Sequence, residues 1–342
     1  MSGEAPTLAA VAAAPRRRRL PGGAAVWVAG LATALAAVAI PSLVSAFWLS
    51  ACTAAAIYSL VAASAGLLYG RLGIVSLYQV ALLGIGGWVA LRLGTGTDVP
   101  FAWLMLAAGA CTAVIAVLTG LPALRFGGLQ LALITLMTAG AAEVLFLTVG
   151  FPNGGSGFLG IADSSHHPVP MRRPSLGDTN PAFFRYALVV VAILFLVYWL
   201  QGRSRSGRAW ATIRESAEVA RASGIDVVRN RLFALALTGF GTGIAGALLA
   251  ASIRSLLPGS FSAAQSAILF VVVLVGGAYS LLGAVIAGAL AQLLPSLFQE
   301  LGLDGNLLTI LFGVGLLVTF VAAPRGVAGQ LKELAERFGR SG

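Results

Sequence analysis

The chain has 342 residues, 58% of them hydrophobic and 10% charged, whereas soluble domains carry about 25% charged residues. So few charges cannot solvate a globular surface of this size, and the bilayer is the solvent the composition calls for. The net charge of +10 would suit nucleic acid if it formed one face, but the basic residues sit in short segments between apolar runs. That is a topology pattern, and nucleic acid is excluded as a partner.

In chain order, residues 1–23 form a basic tail that carries Arg16, Arg17, Arg18 and Arg19. With the apolar run that follows, this resembles a secretory signal, and Val44-Ser45-Ala46 would pass as a cleavage site. Many more apolar runs follow, so the first is read as a signal-anchor helix with the arginines held in the cytoplasm.

A spanning helix needs about 20 mostly apolar residues. Ten stretches qualify within a domain at 24–323: 24–45, 48–69, 74–93, 101–121, 127–150, 183–201, 232–253, 264–279, 281–300 and 306–323. The eighth is short, and Gly276 and Gly277 interrupt the run it shares with the ninth; nine or eleven spans remain open on this reading. The predicted fold is all-α, a polytopic transmembrane helical bundle with broken helices. Cys52 and Cys111 fall inside apolar runs and read as buried small hydrophobes. His166 and His167 fall in the loop 151–182 and lack zinc-site spacing.

Charge tests the count. With ten spans and both termini inside, 17 of the 22 basic residues face the cytoplasm and five (Arg92, Arg172, Arg173, Arg185 and Arg254) face out. An odd error in the count would scramble this asymmetry. The loop 151–182 is then external, and 202–231 and the tail 324–342 are cytoplasmic. Only Glu143 is an ionisable group well within a span, which makes it a functional candidate; the plainer reading is a hydrogen bond to a neighbour near the outer end of its helix. Gly66-x-x-x-Gly70 and Gly239-x-x-x-Gly243 predict close helix packing.

The polar stretch 201–231 breaks the hydrophobic pattern. Ile213, Ala217, Ala220 and Gly224 recur at helical steps as one small, weakly apolar face, with Arg214, Glu215, Glu218 and Arg221 around it. Gly224-Ile225-Asp226 reads as a helix stop. Such a helix suits a groove on a partner or an interfacial position on anionic lipid.

The segment SGRAWATIRESAEVARASGI (206–225) resembles the coupling segment of the branched-chain amino acid ABC transporter permease family, SxxGRAxxAIRENExAAxxxGI. It matches at Gly207, Arg208, Ala209, Ile213, Arg214, Glu215, Ala220, Ala222, Gly224 and Ile225. Other blocks follow in the family's order. GRLGIVSLYQVALLGIGGW (70–88) is similar to GxxGxxSLGHAAFxGIGAY, GLPALRFGGLQLALITL (120–136) to GLPALRLRGxYLAIxTL, and NGGSGFLGI (153–161) to an outer TGGxxGLxGI loop. LVGGAYSLLGAVIAGAL (274–290) is similar to VxGGxGSxxGPxxGAxL, and Pro324-Arg325-Gly326 to a terminal PxGL. The resemblance covers roughly residues 66–327 and favours the M-type permease of the pair. The family's His is Gln79 here, its preceding Gly is Tyr78, and Gly128, Leu129 and Gln130 replace its usual acidic or aromatic residues.

The resemblance implies a cytoplasmic coupling helix that sits in a cleft of a separate ATPase and transmits its closing motion, with Arg208, Ile213, Arg214, Glu215, Ala217, Ala220, Arg221 and Gly224 as the coupling residues. It also implies a second homologous permease subunit, an extracytoplasmic solute-binding protein and a place in the bacterial inner membrane. The expected cargo is a small amino acid, branched-chain first, with urea and amides as relatives' alternatives. ATP and Mg would be bound by the partners: the single lysine, Lys332, stands outside any Gly-x-x-x-x-Gly-Lys-Ser/Thr loop, and this chain binds no cofactor or metal. An ion-coupled secondary transporter is the alternative, opposed by the scarcity of ionisable groups within spans. No paired carboxylates or nucleophile motif lie in the spans to suggest an enzyme. Irregular backbone is tolerated in a membrane where it lines a cavity, so Gly73, Ser76, Gln79, Thr135, Thr138, Gly276 and Gly277 are the substrate-path candidates. Each hydroxyl among them could instead bond its own helix backbone.

Overall fold

The computed structural model describes residues 22–123, 129–155, 158–161, 171, 173–302, 307, 310–315 and 327–330. Arg16 to Arg19, Arg125, Gly128, His166, His167, the Pro324 block and most of the tenth expected span and the tail lie outside them. Among the described residues the secondary structure is helical, with no strand.

Five helices precede the long loop: α1 (Gly22–Leu43), α2 (Ala46–Leu72), α3 (Gln79–Gly96), α4 (Phe101–Ala123) and α5 (Leu129–Val149). Six follow it: α6 (Asn180–Arg203), α7 (Arg205–Glu215), α8 (Ala217–Ala222), α9 (Val227–Ile253), α10 (Ala263–Gly276) and α11 (Leu281–Glu300). Among the described residues, α2, α4, α5, α6, α9 and α11 are long and apolar enough to cross a membrane; shorter apolar helices lie at Thr33–Leu43 and Ala263–Gly276.

The core is the packing of α9 against α3 and α4, and of α2 against α11. It depends on residues too small to hold backbones apart. A Cβ on Gly239 would lie 2.7 Å from Ala116 Cβ, and one on Gly86 would lie 2.6 Å from Gly243 Cα. The second small pair does the same elsewhere, since Gly66 and Gly70 of α2 lie against Ala278.

Two interruptions shape the bundle. The expected third span does not start at residue 74. Gly73 takes the left-handed conformation (φ +69°) and ends α2, its N–H donating to Tyr69 O at 3.0 Å and that of Ile74 to Leu68 O at 3.1 Å. Residues 73–78 then run without helical structure, with Ile74, Ser76 and Tyr78 buried, and α3 begins at Gln79. Hydropathy alone reads these apolar residues as helix. The second interruption is at the glycine pair. Gly276 ends α10 and Gly277 (φ +111°) caps it, and Gly276 packs on Ala287 of α11, so the chain folds back as a tight hairpin.

The polar stretch is two helices, not one. Ser216 is extended, ends α7, and starts α8 by accepting from Val219 N at 3.3 Å. The stop expected at residues 224–226 is a motif in two parts. Gly224 (φ +76°) ends α8, with Ile225 N donating to Ala220 O, and Asp226 accepts from Arg229 N at 2.9 Å to cap α9.

At the opposite end, where α5 stops and α10 starts, Phe146, Phe151 and Phe261 stack with centroids 5.1 to 5.9 Å apart. Arg173 donates to the carbonyls of Ala251 and Ser252 and to Asn180 Oδ1, closing the end of α9. Partial burial there, and Arg254 beside it, push its pKa below the ordinary arginine value.

Candidate functional sites: a buried polar seam and a helical platform

The non-helical stretch 73–78 brings together residues far apart in sequence. Gln79 Nε2 donates to Ser76 Oγ at 3.3 Å, and Gln79 Oε1 accepts from Thr242 Oγ1 of α9 at 2.9 Å. Leu77 N, which no helix partner satisfies, donates to Thr135 Oγ1 of α5 at 3.1 Å. Gln79 is 2% exposed and Thr242 fully buried. Thr242 stands 15 residues into the 27-residue α9, about 22 Å along it at 1.5 Å per residue. The seam therefore lies deep in the bundle, where α5 and α9 each bond to the 73–79 stretch at the start of α3.

Of the expected path residues, the structure joins Ser76, Gln79 and Thr135 and places Gly73 at the mouth of the segment. Thr138 stands apart, half-buried, its hydroxyl donating to Ile134 O of its own helix at 2.8 Å. Gly276 and Gly277 form the α10–α11 turn beside the end of α2 and are not members of the seam. Gln79 is buried, and its amide is engaged by Ser76 and Thr242. Thr242 escapes sequence reading. Its one signal is a hydroxyl inside the small-residue run Gly239, Gly241, Gly243, Gly246.

Glu143 is also accounted for. Its Oε2 accepts from Ala263 N at 2.8 Å, at the start of α10, where Ser262 Oγ also accepts from Gln265 N at 3.2 Å. A carboxylate at a helix N-terminus complements its positive end, as the plainer reading expected.

The second feature is the platform made by α7 and α8. It is fixed to the bundle by one face of α7: Gly207, Trp210 and Ile213 are buried. Trp210 Nε1 donates to Asn230 O of α9 at 3.1 Å, and Gly207 sits so close to α6 that a Cβ would lie 2.5 Å from Gly202 O. Arg214 remains exposed, but its Nη1 reaches the bundle and donates to Gly70 O of α2.

This corrects the expected docking face. Ala220 is 0% exposed and Ala217 is half-buried against the core, so the small face packs on the chain's own body. Small residues permit close approach, and α9 is what approaches. Ile213 is buried for the same reason. Gly224 is exposed with open space around it, and its positive φ, not a contact, requires glycine. Arg208, Glu215, Glu218, Val219 and Arg221 lie on the exposed surface, Val219 at 57%.

The family model for "Branched-chain amino acid transport system / permease component" matches residues 47–321. The chain is 29% identical over 258 residues to the high-affinity branched-chain amino acid transport system permease protein LivM of Salmonella typhimurium, covering 70% of this chain and 60% of that protein. It is 30% identical over 264 residues to the LivM protein of Escherichia coli, covering 68% of this chain and 59% of that one. The chain thus spans about three fifths of the curated relatives it matches. No solved structure is significantly similar to it. The match covers both interruptions, the seam and the platform, and the chain is a multi-pass membrane protein that belongs to the branched-chain amino acid transport system permease family.

Proposed function

We propose that the chain is the substrate-translocating permease subunit of a bacterial ABC importer for a small amino acid, branched-chain first. The observation that carries this reading is the platform: two short helices at one end of the bundle, anchored through Trp210, Ile213 and Arg214, with Arg208, Glu215, Glu218, Val219 and Arg221 exposed. A chain whose engine is another polypeptide needs such a surface, and this one is held rigidly against the bundle. The sequence holds no P-loop, so cytoplasmic ATPase subunits carry the ATP and Mg, and the chain is a transport subunit rather than an enzyme. A second, homologous permease and an extracytoplasmic solute-binding protein complete the importer, in the inner membrane with both termini cytoplasmic.

The seam of Ser76, Gln79, Thr135 and Thr242 is the closed part of the path. Its hydrogen bonds are exchangeable for those of a passing solute, since every partner is a hydroxyl, an amide or a backbone N–H. The test is reconstitution with the ATPase subunits and the second permease, followed by uptake of labelled leucine with binding protein outside and ATP inside. Uptake that follows a sodium or proton gradient, and ignores ATP, would sink the proposal in favour of a secondary carrier.

A further inference from the structure

Arg214 is the one platform side chain that reaches both interruptions of the bundle. Its Nη1 bonds to the carbonyl of Gly70, in the last turn of α2. Its Cγ runs past Gly73, where a Cβ would lie 3.7 Å away. Its guanidinium lies over the ring of Tyr279, 4.9 Å from the centroid, in the α10–α11 turn. The contacts continue inward, because the Tyr279 ring is 6.1 Å from that of Tyr69, which meets Phe270 of α10 edge-on at 5.6 Å. Ala278, next in the same turn, is packed against Gly66 and Gly70. One side chain thus links α7 to the start of the 73–78 segment and to the hinge of the hairpin.

The chemistry fits arginine specifically. The last carbonyls of a helix lack intrahelical donors and carry its negative end, so a cation there is favoured. A planar guanidinium donates to that carbonyl while its face lies on an aromatic ring, which an ammonium cannot reproduce.

We propose that Arg214 is a positioning residue, not a docking one: it carries displacement of the platform to the two interrupted helices. This rests on the permease reading. In the complex reconstituted with its ATPase subunits, Arg214→Gln should leave assembly and ATP hydrolysis in place. Uptake per ATP should fall about five- to hundredfold, the range of ordinary coupling between sites. Tyr279→Phe should be neutral, Tyr279→Leu should reproduce the loss, and the Arg214→Gln and Tyr279→Leu losses should not add. Arg214→Lys should recover only part of the coupling. Normal uptake per ATP in Arg214→Gln overturns the proposal, and so does loss of ATPase co-elution, which would make Arg214 a docking residue. If Arg214→Gln does not yield a monodisperse chain, Arg214→Lys and Tyr279→Leu carry the same test.

A wild-type complex without ATP-driven uptake would overturn the permease reading and the transport role together. The contact is then judged by itself. Ala278→Cys, 6% exposed at present, in a chain with Cys52→Ala and Cys111→Ala, should react with a maleimide several times faster when Arg214→Gln is added. An unchanged rate means that Arg214 does not hold the turn.

Discussion

Gln79 illustrates how a buried polar residue can be structural and functional together. Removing its amide alone leaves Thr242 and Ser76 facing an apolar side chain, at a cost of about 1–3 kcal/mol for an unsatisfied buried group. Gln79→Leu should therefore lower the melting temperature of the purified chain and reduce uptake. Thr242→Val added to it removes the second partner and should recover most of the stability, since deleting both members of a pair can be nearly neutral. Uptake should stay impaired in the double variant if the seam is the path. Uptake that returns along with the melting temperature would reduce the seam to a packing device. Ser76, Gln79 and Thr135 are legible in the sequence because polar groups stand out in apolar spans. Thr242 is not, because a threonine commonly bonds its own helix backbone and only the fold reveals its partner.

At the level of the helices, the platform gives two contrasting substitutions. Ala220→Glu puts a charge into the α8–α9 packing, and an unpaired buried charge costs about 3–5 kcal/mol. It should destabilise the isolated chain, as seen in its thermal unfolding without any partner. Val219→Asp, on the exposed side of the same short helix, should leave that unfolding unchanged and weaken co-elution with the ATPase subunits. Equal co-elution of Val219→Asp and wild type would remove α8 from the docking surface. The sequence locates the platform and its terminators, yet it mistakes which face is outward. Smallness and periodicity describe a face suited to close packing without saying whether the neighbour is another protein or the same chain. The break at Ser216 is likewise visible only as a serine, since its effect comes from an extended backbone (φ −158°, ψ 122°) and a side-chain cap. At residues 73–78 the limit is different: hydropathy measures depth in the membrane and is blind to whether the backbone there is helical.

For the whole molecule, hydropathy is a guide to where helices lie: the expected stretches and the helices agree to within about five residues from α1 to α11 apart from that segment, though among the described residues only six of those helices are long and apolar enough to cross a membrane. The sidedness rests on charge. Leu176→Cys, 78% exposed in the long loop, and Glu218→Cys on the platform should label from opposite sides of sealed vesicles, in a chain without Cys52 and Cys111. Labelling of both from one side would sink the even span count. The direction matters as well, because the platform should be reached only from the compartment that holds ATP.

The bond from Glu143 to the start of α10 has a mechanical consequence. That end of the helix is capped by its own Ser262 and tied to α5 by Glu143, whereas the other end finishes in a glycine pair. With 14 residues, α10 is a rod about 21 Å long. A rod clamped at one end and jointed at the other is a lever with its fulcrum at Ala263. If the proposed coupling through Arg214 holds, motion applied at Tyr279 would tilt it, with the largest sweep at the jointed end and almost none at the fulcrum. Cutting the clamp with Glu143→Ala should convert tilting into sliding, so that the same push at Tyr279 is dissipated along the axis of α10.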